Sequence, residues 1–184
     1  MNNERYSMIR LFETFLEALS RLVDRDDHLF SLKRNSTAVS HRLAQHLEEV
    51  MFGELPVKEQ EGFVVDLAYP LEERSLNPDI LIHNRSNRAE ERLMGVVCRS
   101  RYLTNQELLK LHALKSHLTL AVAFLPDKDY FLIYRSDEST LDYYHFYKEA
   151  KHCHLLRRRH ISEIDESDRQ QLRLAIAPKA GRPR

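Results

Sequence analysis

Residues 78–83 read PDILIH and residues 92–100 read RLMGVVCRS. Both are short, apolar runs bounded by Asn, Pro or Ser, which marks them as strands. The first is entered through an acid, Asp79, and the second is left through a base, Arg99. Val97 stands in the middle of the second run, where the chain carries no acid of its own.

Outward from this pair, FVVDLAYP (63–70), TLAVAFLP (119–126) and DYFLIYRS (129–136) have the same character and are also expected as strands. Between the third and fourth runs lies TNQELLKLHALKSH (104–117), in which Thr104 and Glu107 have the spacing of a capping box ahead of Leu108, Leu111 and Leu114. A helix there implies a crossover, so the strands on either side of it pair in parallel. The run after it, nearly all apolar, is expected as a central strand covered on both faces. The segment PDKD (126–129) then turns the chain back into an antiparallel hairpin.

Upstream, Met8, Ile9, Phe12, Phe15, Leu16, Leu19 and Val23 recur at helical spacing and predict a long amphipathic helix from Tyr6 to Val23. DRDDHLFSLKRN (24–35) breaks that pattern. Ser36 is the expected N-cap of a second helix with Val39, Leu43, Leu47 and Val50 on one side, ended by Gly53 and Pro56. Downstream, LDYYHFYKE (141–149) fits strand or helix, HCHLLRRRHI (152–161) is basic, and ESDRQQLRLAIA (166–177) is expected as a closing helix. The order is ααβββαβ followed by a further strand: an α/β fold. A single domain spans 1–177, with a helical extension over 1–35, a core over 36–136 and a disordered basic tail over 178–184.

Composition narrows the classes. The 184 residues suit one domain with a real core, and 42% hydrophobic with 30% charged residues is a soluble globular profile. No apolar run nears the roughly 20 residues a membrane span requires, and MNNERYSMIRLFETF has no continuous signal-peptide core. A cytoplasmic location is expected. Two cysteines, Cys98 and Cys153, are too few for a disulfide framework. Lys plus Arg (28) equals Asp plus Glu (28), so the whole-chain charge predicts no affinity for nucleic acid and any basic surface must be local.

In order and spacing these segments resemble the PD-(D/E)XK nuclease-like superfamily, the restriction-endonuclease fold, from about Ser36 to Ser136. STAVSHRLAQHLEEVMF is similar to the helix before that core, VVDLAYP to its first strand, NPDILIHNR to the strand with the catalytic acid, and LMGVVCRS to the strand with acid and lysine. ELLKLHALK is similar to the helix in which an acid precedes Lys and Leu. The resemblance implies a central mixed sheet flanked by helices, with Asp79 and Arg99 on adjacent strands and their side chains on one side.

In the active pattern an Asp and a Glu on adjacent strands hold Mg2+, and a Lys two residues beyond the Glu orients the attacking water. Asp79 matches the first acid. The second acid falls on Val97 and the lysine on Arg99, so the site is expected to be degenerate, with Asp79 paired to Arg99 in place of a metal. An upstream acid of the family corresponds to Glu48, Glu49 or Asp66, and Ala68 takes the place of another. Glu107, on the next helix, is the candidate for a relocated second acid, although the capping box already explains it. If the site is active, the resemblance implies a Mg2+-dependent DNA endonuclease of a defence or mobile-element system, with Asp79 and Glu107 as ligands.

The other candidates are set by residue type. His83 ends the Asp79 strand and faces either the site, a phosphate or nothing in particular. His152 and His154 alternate on an extended run and offer at most two metal ligands on one face. Arg157, Arg158 and Arg159 form the densest basic run, near the rings of YYHFY, and suggest a phosphate-binding groove against the default of a solvated face. Three functions follow as expectations: a nuclease-like protein that binds DNA or RNA or serves as a subunit, an active endonuclease, or a protein-interaction module. A homodimer or partner contact through the first helix is a further expectation beside its use as core.

Overall fold

The computed structural model describes residues 6–32, 35–53, 62–71, 77–86, 88 and 91–164. The expected closing helix and basic tail lie outside the described residues, as does Pro56. Helices α1 (Met8–Asp26) and α2 (Ser36–Phe52) come first, joined by a 3-10 turn over Asp27–Ser31. Strands β1 (Val64–Leu67), β2 (Ile80–His83) and β3 (Arg92–Arg99) follow, then α3 (Asn105–Ala113), β4 (Leu118–Ala123), β5 (Tyr130–Ser136), β6 (Thr140–Tyr147) and β7 (His152–His160). LDYYHFYKE is therefore strand, and the basic run adds a seventh strand.

The strands form a single sheet whose spatial order equals their order in the chain. All neighbours are antiparallel except β3 and β4, which pair in parallel across α3. The expected capping box is present: Thr104 Oγ1 accepts from the Glu107 amide, and Glu107 accepts from the Thr104 amide. β4 is buried along its whole length, as its continuous apolar run requires.

Two corrections concern the N-terminal helices. The first outlasts the apolar pattern by one turn, because Asp26 is buried at its end and accepts from Arg42 Nε at 2.8 Å while lying 2.7 Å from His46 Nε2. The second is capped by Asn35 rather than Ser36; Asn35 makes no capping bond but donates from Nδ2 to the Leu29 carbonyl at 2.7 Å.

Alternation along each strand divides the core into two. On one face Leu11, Phe15, Leu19 and Leu22 of α1 and Val39, Leu43 and Leu47 of α2 cover Ile80, Ile82, Val96, Leu120, Val122 and Phe131. The apolar stripe of α1 is thus consumed inside the chain, leaving Ile9 as its exposed large hydrophobic residue. On the other face Leu108 and Leu111 of α3 pack on Val97, Ala121, Ala123, Leu132, Tyr134, Leu141 and Tyr143. Among the described residues α3 covers part of this face, and Ile164, beyond β7, is buried in the same cluster. Gly95 lies under the α3 exit, where an added Cβ would come within 2.8 Å of Leu114 Cδ2.

Candidate functional site

Asp79 stands one residue before β2, and its amide donates to the Val96 carbonyl of β3 at 2.9 Å. Its own carbonyl accepts from Ala68, which has turned to φ 49 as the chain leaves β1. Beyond this point β2 has no more backbone to offer β3. The Asp79 carboxylate takes over: Oδ2 accepts from the Cys98 amide at 2.7 Å and from Arg99 Nη1 at 2.9 Å. Adjacent strands therefore bring Asp79 and Arg99 together on the α3 face.

Val97 shares this face and is fully buried against α3. Where a second acid would stand there is a wall of hydrocarbon. Glu107 approaches instead, from the first turn of α3, with Oε1 3.5 Å from Arg99 Nε. It is already engaged. Arg101 grips both its oxygens, at 2.8 and 2.9 Å, and Oε2 also accepts from the Thr104 amide and hydroxyl. The Arg101 guanidinium is the main reason why the Glu107 carboxyl falls to about 2, against the pull of burial and with help from Thr104.

A divalent cation needs several carboxylate oxygens whose lone pairs are open. Asp79 Oδ2 already receives two donors, Val97 offers none, and both Glu107 oxygens are committed, with the Arg99 cation between the two acids. This donor set does not fit Mg2+. Among the described residues no three His, Cys, Asp or Glu side chains are grouped so as to hold a metal ion.

The other acids of the family pattern have separate partners. Asp66 of β1 accepts two bonds from Arg85, at 2.8 and 2.9 Å, and lies 3.0 Å from His83 Nε2. The Arg85 bonds hold its carboxyl below the usual range against burial, with His83 adding to the effect. Glu49 pairs with Arg25 of α1 at 3.1 Å. His83 is buried beneath the edge of the Tyr69 ring, 4.3 Å between centroids, so it is not presented to a phosphate.

The basic run divides. Alternation along β7 puts Arg158 on the face of α1 and α2, where it forks onto Asp142, a fully buried acid that Arg135 also reaches at 3.1 Å. Arg158 is thereby a structural counter-ion, and the three arginines do not share one groove. Arg157 and Arg159 point to the α3 face. There they line a cleft of about 430 Å3 with Tyr102, Tyr130, Tyr134 and Tyr143. The Arg157 guanidinium lies 4.4 Å from the centre of the Tyr143 ring, and Arg159 Nε is 4.0 Å from Glu163.

The cleft adjoins the Asp79–Arg99 pair through residues close in sequence: Arg99 ends β3, Arg101 holds Glu107, and Tyr102 is on the rim. Arg101, Tyr102, Tyr130 and Tyr134 are what sequence alone left out, whereas Tyr143 belongs to the YYHFY segment expected beside the basic run. Their signal was present as a period of two, Tyr130 with Tyr134 on β5 and Tyr143 with His145 on β6, which marks one sheet face. A larger hollow of about 560 Å3 near His112 and Ser136 shares no lining residue with this cleft.

No helix among the described residues is long and apolar enough to cross a membrane. Comparison with protein-family profiles, with curated proteins and with solved structures finds no match for this chain.

Proposed function

We propose that this chain is a nuclease-like core, similar to the PD-(D/E)XK fold, that has exchanged its metal site for an ion pair and now acts by binding nucleic acid in the cytoplasm. The observation that carries this is the bond from Arg99 Nη1 to Asp79 Oδ2, at 2.9 Å, beside a buried Val97. An arginine in that place neutralises the acid that a metal would need, and its fixed charge cannot be shed near neutral pH. What favours binding is the continuation of this face into a cleft with two arginines and four tyrosines. Cations fix phosphates and rings accept bases, without metal and without sequence preference.

The test is a pair of measurements on the purified full chain. With Mg2+ or Mn2+ it should leave linear, supercoiled and single-stranded DNA intact. In chelator it should still bind labelled oligonucleotides, with an affinity that falls steeply as salt rises. Cleavage abolished by Asp79→Ala would replace this reading with that of a working endonuclease. Absence of binding at low salt would leave a protein-interaction module.

A further inference from the structure

We infer that the tyrosine cleft is a pocket for one unpaired base, which makes single-stranded nucleic acid, rather than duplex, the ligand of this face; this rests on the nucleic-acid reading above. The cavity measures about 430 Å3. That lies near the lower end of the roughly 300–1,000 Å3 found for small-molecule pockets, room for one nucleoside but not for a stacked pair. Most of its lining is planar or aliphatic, with Tyr102, Tyr130, Tyr134 and Tyr143 beside Leu108 and Leu156.

The rings are held where a base can use them. Tyr130 stacks on His145, with 4.0 Å between centroids, and its hydroxyl is 3.4 Å from that of Tyr102. Tyr134 meets Tyr143 edge to face at 5.2 Å and accepts from the Leu103 amide. Tyr102 remains half exposed at the rim. An exposed ring beside a ready-made cavity is the arrangement on which an unstacked base settles, since every base offers a π face.

Charge selects a nucleotide over a neutral aromatic molecule. Among the described residues Arg157 has no carboxylate partner in an ion pair, and its guanidinium carbon lies over the Tyr143 ring, 4.4 Å from the centroid. Among the described residues the ion-pair partner of Arg159 is the exposed Glu163, 4.0 Å away. The two cations are two residues apart on a regular stretch of β7, about 6.6 Å by strand geometry, which suits neighbouring phosphates of one extended strand. Among the described residues the buried Tyr143 hydroxyl has no hydrogen-bond partner. A duplex would have to unpair a base to fill this cavity, at a cost that a single strand avoids.

The experiment uses the full chain with two fluorescein-labelled probes, a twelve-residue oligothymidylate and a twelve-base-pair duplex, read by anisotropy at several salt concentrations. The single strand should bind about tenfold more tightly or better. Tyr102→Ala, at an exposed rim position, should weaken single-strand binding about tenfold while leaving the duplex and the salt slope unchanged. Arg157→Ala should lower the single-strand slope of log K against log salt by about 0.7. Equal affinity for both probes with no response to Tyr102→Ala overturns the pocket and leaves a general electrostatic surface. Binding of neither probe at low salt removes the parent reading together with the pocket.

Discussion

Arg99 donates to Asp79 across two adjacent strands at 2.9 Å, and the oxygen it reaches is the one that accepts the Cys98 amide. Asp79 thus finishes the β2–β3 ladder with its side chain and fixes a cation in the same act. This dual use gives the acid a structural reason to be present, independent of any metal.

Asp79→Ala should therefore cost stability. It leaves the Cys98 amide without its acceptor and Arg99 without its principal partner, a loss of about 1–3 kcal/mol. Asp79→Asn, which keeps an acceptor oxygen, should cost less. Urea midpoints of the three proteins measure the order, and an alanine variant as stable as wild type would mean that the bond contributes nothing.

Installing the acid and lysine of the resembled nuclease pattern should create a cation response absent from the parent. Val97→Glu alone places a carboxylate against Leu108 and Leu111 and should destabilise by several kcal/mol. In Val97→Glu with Arg99→Lys, Mn2+ should recover part of that loss, seen as a concentration-dependent rise in melting temperature. Wild type should show no such rise, and a double variant indifferent to Mn2+ would show that the backbone no longer presents these positions as a site.

The pH dependence follows from Glu107. Its carboxyl ordinarily titrates at 4.5 and here at about 2, chiefly because of Arg101. A lowered folded-state value stabilises above about pH 4.5, and the contribution is lost as pH falls from there towards 2. Since Arg101 is 57% exposed, solvent screening limits the effect to about 1–2 kcal/mol at neutral pH. Glu107→Gln should remove it and flatten the stability curve in that acid window. Thermal melts between pH 2 and 6 on both proteins would reveal any retained slope.

The arginines of β7 should behave as two classes. Arg158→Ala strips a counter-ion from buried Asp142, leaving it Arg135 alone among its arginine partners, and should lower the denaturant midpoint more than either neighbour does. Arg157→Ala and Arg159→Ala should stay within about 0.5 kcal/mol of wild type. Denaturant midpoints decide it: three equal effects would contradict the division of the run between faces.

Much of this architecture was legible in the residues. The apolar runs, the capping box of Thr104 and Glu107 and the parallel pairing across α3 follow from local chemistry and from the crossover rule, and all are present. The meeting of Asp79 with Arg99 was expected too. What local rules missed depends on tertiary partners. α1 runs past its stripe because Arg42 and His46, some 16 and 20 residues on, reach Asp26. Glu107 is drained of ligand capacity by Arg101, a residue that no motif singles out. The basic run looked like one patch because a list of letters has no faces; pairing Asp142 opposite Arg158 is what separates it from its neighbours.

Strand order identical to chain order has a consequence for biosynthesis. Each strand after the first pairs with the strand made just before it, so the sheet extends in the direction of translation. The longest loop to close between paired strands is the passage across α3 from β3 to β4. A nascent chain halted at Ser136, with its end clear of the ribosome, should already shield the β3 amides from hydrogen exchange, whereas one halted before β4 should leave them open.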